Sequence, residues 1–557
     1  MSTDGVVIGL YTSSMTASDM TPVALINRIR RRLRKTFSVR CGVGVLAVTL
    51  ILGATTSAWP QRPSRSGGAT ATMAQSDIAG GKAESSSNRP AGIAQHLPAD
   101  VTTDQTVELP GRTLRFKATA GSIPINDGEG TLQAEIAYVA HVIEDQGPAR
   151  PVTFVFNGGP GAASGYLQLG ALGPWRLPLD HIAPSTPPVV IPNAETWLDF
   201  TDLVFIDPVG TGYSRLDATS DAARRQFWSV DGDAEALAVF IRKWIEKSGR
   251  QASAKFIVGE SYGGFRAPKI ARALQGDQGV GVSGLVLISP VLDFSLFGQR
   301  RHAPMSWVVH LPSMAATVLE GKGGFNRDTL RDVERYAAGD YLADLMRGER
   351  DTAAVERISA KVTALTGLDA ALVRRLAGRV DTGTFQRELN RQQGLVASAY
   401  DATVTGFDPN PSAATSHFED PMLSAVGPPL SSAMTDLYQR VLHWRVDAPY
   451  RLLNHEISSR WDWGRGRAGP EVVDDLRDAL AFDPRLRVLV THGANDLVTP
   501  YFADQLILDQ LPVFGSVDRL KLAVYGGGHM FYSRDSSRRD LRADAEQLYR
   551  ATRPPVN

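Results

Sequence analysis

The chain has a single cysteine, Cys41, in 557 residues. That excludes an intrachain disulfide framework and any multi-cysteine zinc site. Histidine is scarce too: there are ten, with no HExxH motif and no close His pair to suggest a metal centre. Neither sign of charge is in excess. The 59 basic residues balance 59 acidic ones, so the positive bias of a nucleic-acid-binding surface is missing. The chemistry is therefore expected to need no metal and no cofactor, and nucleic acid is not an expected partner. Hydrophobic residues make up 43% of the chain, enough for a sizeable core in several domains or in one enlarged α/β domain.

A long membrane-spanning run is also missing. The apolar stretch from Val43 to Ala54 falls short of the roughly 20 residues a membrane helix needs. A basic block (Arg28, Arg30, Arg31, Arg32, Arg34, Lys35) precedes it, and Thr56-Ser57-Ala58 follows with small residues suited to signal-peptidase cleavage before Trp59. Residues 1–58 thus read as a signal peptide, with an uncleaved membrane anchor as the alternative. In both cases the basic flank stays in the cytoplasm and the rest is exported, to a periplasmic or extracellular location. Arg40 ahead of Cys41 argues against lipid attachment there. Residues 59–96, rich in Ser, Gly, Ala, Pro and Thr, read as a flexible linker.

From Val101 to Glu144 hydrophobicity alternates. Leu114–Ala120 and Ala134–Val142 read as antiparallel strands joined through an Asn126-Asp127-Gly128 turn. Continuous apolar runs follow at Val152–Phe156, Asp202–Asp207, Phe256–Val258, Gly284–Ser289, Leu486–Val490 and Leu520–Val524, as expected of strands buried on both faces. Helical patterns such as Asp231–Glu246 separate several of them. Strands alternating with helices imply a mainly parallel sheet with antiparallel strands at its start. The interval from Phe294 to Asp474 breaks this rhythm, with helical periodicity at 327–345, 351–365, 370–376 and 431–441 and a loop near 407–416. It reads as an inserted, mostly helical cap (294–474) between two parts of an α/β core (97–293 and 475–557). An independent second domain is the alternative, but sheet strands on both sides favour insertion.

The most informative stretch is Gly259-Glu260-Ser261-Tyr262-Gly263-Gly264. A strand precedes it and a helical pattern, Phe265–Leu274, follows. Strand, a G-x-S-x-G turn and helix make the nucleophile elbow of the α/β-hydrolase fold, and side chains at Gly259 or Gly263 would collide with the neighbouring backbone. Asn157-Gly158-Gly159-Pro160-Gly161 follows the strand ending at Phe156. Proline in this turn and Ser164 at the last position disfavour a dinucleotide fingerprint, and in a hydrolase this is where a second oxyanion donor arises. Asp207-Pro208-Val209-Gly210-Thr211-Gly212-Tyr213-Ser214 is assigned no catalytic role. Two histidines follow late strands, His492 and His529. The fold takes its acid from the loop of the penultimate strand and its base from that of the last. That selects Asp496 and His529, leaves His492 as a loop residue, and gives the chain order Ser261, Asp496, His529.

Together the Asn157–Gly161, Asp207–Ser214 and Gly259–Gly264 motifs resemble those of the serine carboxypeptidases, of carboxypeptidase C or cathepsin A type. The resemblance extends over about Val101 to Leu548, with the cap matched by position alone. It implies Ser261 as nucleophile, His529 as base and later acid, Asp496 as orienting carboxylate, and the Gly159 and Tyr262 amides as oxyanion hole. It further implies that Asn157, the Gly158 amide and Glu260 hold the C-terminal carboxylate of a peptide, with Met530 near the departing side chain. Peptides with a free C-terminus would be the partners, and the membrane only through the N-terminal segment. Two departures stand out. Gly170-Ala171 precedes Leu172-Gly173-Pro174 where the family has a glutamate to pair with Glu260, leaving Arg176 as a candidate substitute, and Ala162 stands where a cysteine is usual. The lost glutamate leads to the expectation of a less acidic pH optimum or a weaker need for a free C-terminus. Another acyl hydrolase or acyltransferase on the same triad is the alternative function. A non-catalytic, membrane-tethered binding protein is a further one.

Overall fold

The computed structural model describes residues 96–552, apart from 145–146, 148, 181, 218–220, 324–325 and 465–468. The expected signal peptide or anchor and nearly all of the expected linker lie outside the described residues. Among those described, no helix is long and apolar enough to cross a membrane.

The fold begins with three antiparallel strands, Val101–Leu109 (β1), Arg112–Asn126 (β2) and Leu132–Val142 (β3). The sequence reading had two strands here. It missed β1 because Val107 and Leu109 are its only buried residues, and the rest is a polar sheet edge. Four strands of the parallel part come next: Val152–Phe156 (β4), Asp202–Ile206 (β5), Lys255–Glu260 (β6) and Gly284–Ile288 (β7). Helix Val230–Lys247 (α1), capped by the Ser229 side chain, and helix Tyr262–Gly276 (α2) flank β6 in sequence. Far downstream lie Arg487–Gly493 (β8) and Leu520–Tyr525 (β9). The sheet has ten strands, nine of them in the order β1-β2-β3-β5-β4-β6-β7-β8-β9, with Arg215–Leu216 pairing beside β3. From β5 to β9 every neighbouring pair is parallel.

This order has a switch point. From β4 the chain steps outward to β5, then crosses back to β6 on the other side of β4. Open α/β sheets bind ligands at the carboxyl ends of the strands beside such a switch point, here β4 and β6. Period-two alternation fills both faces. Phe154, Phe156, Ile257, Leu285 and Leu287 pack with α1 and α2, whereas Val155, Val258, Val286 and Ile288 pack on the opposite face with the C-terminal helix Asp535–Ala551. Topology and layering are those of an α/β-hydrolase.

The stretch between β7 and β8 holds helix Pro304–Gly321 (α3), helix Arg327–Tyr336 running through a wider turn into Leu342–Arg347, helix Thr352–Thr366, a two-strand hairpin (Leu395–Ala397 with Thr405–Phe407) and helix Pro421–Asp436 (α4). Helix α3 escaped periodicity because Ser306 to Thr317 is buried on every face. Pro428 and Pro429 concealed the first half of α4, although Asp420 caps it and Pro421 occupies its first turn. The insertion is not uniform. Its first half shares a core with Ala494, Leu497, Tyr501 and Phe502 after β8, whereas α4 and Tyr450 to Leu452 join the core on the sheet.

A buried charge cluster anchors the base of the parallel strands. Asp202 accepts from Arg150 Nε at 2.9 Å and Arg250 Nη1 at 2.6 Å, and the three side chains are at most 7% exposed. Asp202→Ala would remove the carboxylate that balances two buried guanidinium charges. We expect it to destabilise the fold by about 3–5 kcal/mol in denaturant unfolding.

Candidate active site

Ser261 stands at the β6–α2 turn with φ 60° and ψ −123°, a conformation that L-residues rarely adopt. Its amide donates to Ile288 O of β7 at 2.9 Å. The surrounding glycines are obligatory. A Cβ on Gly259 would lie 2.1 Å from Gly263 O, and one on Gly263 would lie 2.7 Å from Phe156 O. The loop after β4 is pressed onto the same turn, since a Cβ on Gly158 would come within 2.4 Å of the Tyr262 amide nitrogen. Gly159 follows at φ 99°. Among the described residues, neither the Gly159 nor the Tyr262 amide donates to a protein acceptor. Two free donors beside a serine hydroxyl can receive a developing negative charge.

The candidate acid and base lie after the next two strands of the chain, β8 and β9. Asp496, fully buried after β8, accepts from Val498 N at 2.8 Å and Thr499 N at 2.9 Å through Oδ1. Its Oδ2 meets His529 Nδ1 at 2.7 Å and accepts from Thr499 Oγ1 at 2.7 Å. With Nδ1 engaged by the carboxylate, Nε2 is the nitrogen left to serve Ser261, although among the described residues no hydrogen bond yet joins the two side chains. Burial pulls the His529 ring toward the neutral form. The Asp496 charge and hydrogen bond, with Glu260 and Asp420 beyond, outweigh it, and its pKa lies above the ordinary histidine value. The positively charged ring is thus favoured once a proton arrives, a property suited to a general base.

Glu260 is the last residue of β6 and is buried. Its Oε2 accepts from Asn157 Nδ2 at 2.5 Å and Tyr532 Oη at 2.9 Å. Burial pushes this carboxyl up to about 7, against the lowering pull of His529 and these two donors. Asn157 is fixed in turn, its Oδ1 accepting from Leu167 N at 3.0 Å. Met530 is buried in the apolar core on the sheet. Arg176 reaches Asp535 at 3.6 Å, and among the described residues no hydrogen bond ties it to Glu260.

Several participants were not visible in the sequence. Ser289, at the end of β7, donates through Oγ to His529 O at 2.8 Å while its own carbonyl accepts from Thr499 Oγ1 at 3.0 Å. It links the His529 and Asp496 loops to the strand beside Ser261. Tyr400 of the insertion accepts from His529 N at 2.5 Å and sets its ring edge-on to the imidazole at 5.2 Å. Asp401 accepts from Gly528 N at 3.0 Å and from Arg534 Nη2 at 2.9 Å, while Arg534 Nη1 pairs with Glu320 of α3. Only Tyr532 and Thr499, three residues beyond His529 and Asp496, had a positional hint. One expectation needs correcting: His492 is not a loop residue but lies within β8, fully buried, with Nε2 3.0 Å from Asp504 Oδ2. The β8 pairing with β9 continues through Gly493, so the loop begins after the histidine.

A groove of about 740 Å³ is lined by α4 and the Tyr450–His455 segment and includes Tyr166, Asp420, Leu423 and Arg451. Tyr166 lies within electrostatic reach of Glu260, and Asp420 within reach of His529.

Gly528 has no room for a side chain, since a Cβ would sit 2.0 Å from Tyr400 O. Gly528→Ala should displace the His529 loop by an appreciable fraction of an ångström. We expect it to slow organophosphonate labelling of Ser261 about 10²-fold.

Part of the chain is similar to known proteins. Residues 110–295 match the model of the serine carboxypeptidase family. Serine carboxypeptidase-like 29 of Arabidopsis thaliana is 29% identical over 179 residues, 31% of this chain and 34% of that protein. The pheromone-processing carboxypeptidase kex1 of Talaromyces marneffei is 36% identical over 120 residues, 21% of this chain and 17% of its own length. The matched segment thus spans about a third or less of these relatives. Among solved structures, a prohormone-processing carboxypeptidase from Saccharomyces cerevisiae superposes with a TM-score of 0.49 at 14% identity, covering 78% of this chain and 91% of that one. Over residues 110–295 the chain is thus similar to the serine carboxypeptidase family, on a sheet with the topology of an α/β-hydrolase.

Proposed function

We propose that this protein is an exported serine-type carboxypeptidase that releases C-terminal residues from peptides through an acyl-enzyme on Ser261. One observation carries the reading beyond acyl transfer in general. The residue before the nucleophile, Glu260, is a buried carboxyl with a proton affinity near neutrality, and among the described residues no lysine or arginine is paired with it. A carboxyl in that state can donate a hydrogen bond to a carboxylate, which an ionised one would repel.

In this mechanism Glu260, Asn157 and the Gly158 amide hold the terminal carboxylate, which sets the last peptide bond over Ser261. Ser261 Oγ attacks the scissile carbonyl while His529 Nε2 takes its proton and Asp496 supports the resulting imidazolium. The Gly159 and Tyr262 amides receive the oxyanion, an interaction worth about 3 kcal/mol per donor. His529 returns the proton to the departing amine, and water then releases the acyl group by the reverse sequence. The groove along α4 suits the upstream part of the peptide, and Met530 would border the pocket for the departing side chain.

The pH dependence follows from two groups. His529 must be neutral to act as base, so activity rises as pH passes its elevated pKa. Glu260 must keep its proton to receive a carboxylate, so activity falls as pH climbs through about 7. We expect matched peptides with free and amidated C-termini to diverge above that point, the acid substrate losing rate and the amide showing no falling limb. Mass spectrometry of released residues, with Ser261→Ala as the inactive control, checks this. Equal cleavage of both peptides would leave a serine hydrolase but remove the exopeptidase reading.

A further inference from the structure

The position that would carry a second glutamate is the pair Gly170-Ala171, and the structure puts a different group beside Glu260. Tyr532, fully buried, brings its hydroxyl to 2.9 Å from Oε2 and 3.1 Å from Oε1 of Glu260. The missing side chain makes room for it: a Cβ on Gly170 would lie 2.9 Å from Tyr532 Cε2. Arg538 Nη1 holds the tyrosine backbone from the other side, donating to its carbonyl at 2.9 Å.

We propose that Tyr532 is the positioning residue for this acid. With Asn157 it fixes Oε2 of Glu260 as an acceptor and directs the Glu260 proton, on Oε1, at the peptide C-terminal carboxylate, in place of a second carboxyl group. The inference rests on the carboxypeptidase reading above. Oε2 receives Asn157 Nδ2 and the shorter of the two tyrosine contacts, 2.9 Å against 3.1 Å to Oε1, so the acid hydrogen is assigned to Oε1. The groups facing Glu260 come from every surrounding loop: Asn157 and Tyr166 after β4, Tyr400 from the insertion, Asp496 after β8, and His529 and Tyr532 after β9. Tyr532 itself stays neutral, because burial and the nearby Glu260 charge both oppose its ionisation. A pair of carboxyl groups would have to retain protons against each other and against the substrate. Here one proton suffices, and carboxylate recognition is lost in a single step.

The test uses the full chain and its Tyr532→Phe variant, with kcat/KM measured against pH on a peptide acid and its matching amide. The hydroxyl donates to Glu260 and so favours its charged form. Its removal should move the falling limb of the acid substrate to higher pH by about one pH unit and raise KM for that substrate about 10-fold, leaving the amide unchanged. In a Glu260→Gln background the same change should move nothing, since no proton remains to be directed. Gly170→Ala, whose Cβ crowds the tyrosine ring, is a second route and should shift the limb in the same direction. An unmoved limb and unchanged acid-to-amide ratio in a Tyr532→Phe protein whose Ser261 still reacts with an organophosphonate would overturn the proposal alone. A parent protein that reacts with the organophosphonate but never cleaves the acid peptide would overturn the carboxypeptidase reading, and this inference with it.

Discussion

Everything at the catalytic centre depends on a contact between two pieces of backbone. The loop after β4 lies directly against the turn after β6, with Gly158 over the Tyr262 amide and Gly263 over the carbonyl of Phe156. No side chain fits between them. Parallel pairing of β4 with β6 sets the approach, because both strands end at the same level of the sheet, Phe156 opposite Gly259. Ser261, the candidate oxyanion donors and the candidate carboxylate site are therefore held against one another. Disturbing one glycine disturbs all three.

The sequence revealed the parts of this arrangement that rest on backbone constraint. Glycines flanking Ser261, continuous apolar strands and the order of serine, acid and histidine are local features, each with a steric or burial reason visible in a short window. What it concealed was set at long range. Ser289, Tyr400, Asp401 and Glu320 sit in unremarkable sequence and reach the His529 loop only through the tertiary fold. Tyr532 is hidden for another reason: its partner is an absence of side chain at Gly170, and missing atoms have no pattern to detect. His492 misled because a histidine before Gly493 suggests a turn, whereas the β8–β9 ladder runs one residue further. Helices α3 and α4 were obscured by uniform burial and by internal prolines, both of which erase the amphipathic period.

The segment between β7 and β8 also bears on the two late loops. Its Ala399–Thr403 stretch contacts both late loops: Leu497 N donates to Ala399 O at 2.9 Å, and His529 N to Tyr400 O. The Asp401–Arg534–Glu320 chain closes the circuit through α3, and Glu320 Oε2 also accepts from Asn495 Nδ2 at 2.6 Å. Acid and base are thus braced from above by the insertion and from below by Ser289. Such bracing lets a charged pair stay aligned in a buried site, where solvent would otherwise compete for Asp496.

The place of the insertion also bears on the birth of the molecule. β7 and β8 are neighbours in the sheet, yet the entire insertion is synthesised between them. While it emerges, β7 carries an unpaired parallel edge of wholly buried-type residues, Gly284 to Ile288. The insertion cannot settle independently in that interval, because its own apolar cluster is completed by Ala494, Leu497, Tyr501 and Phe502, which follow β8. A nascent chain stalled within the insertion would expose an adhesive edge and half a core, the combination that self-associates most readily.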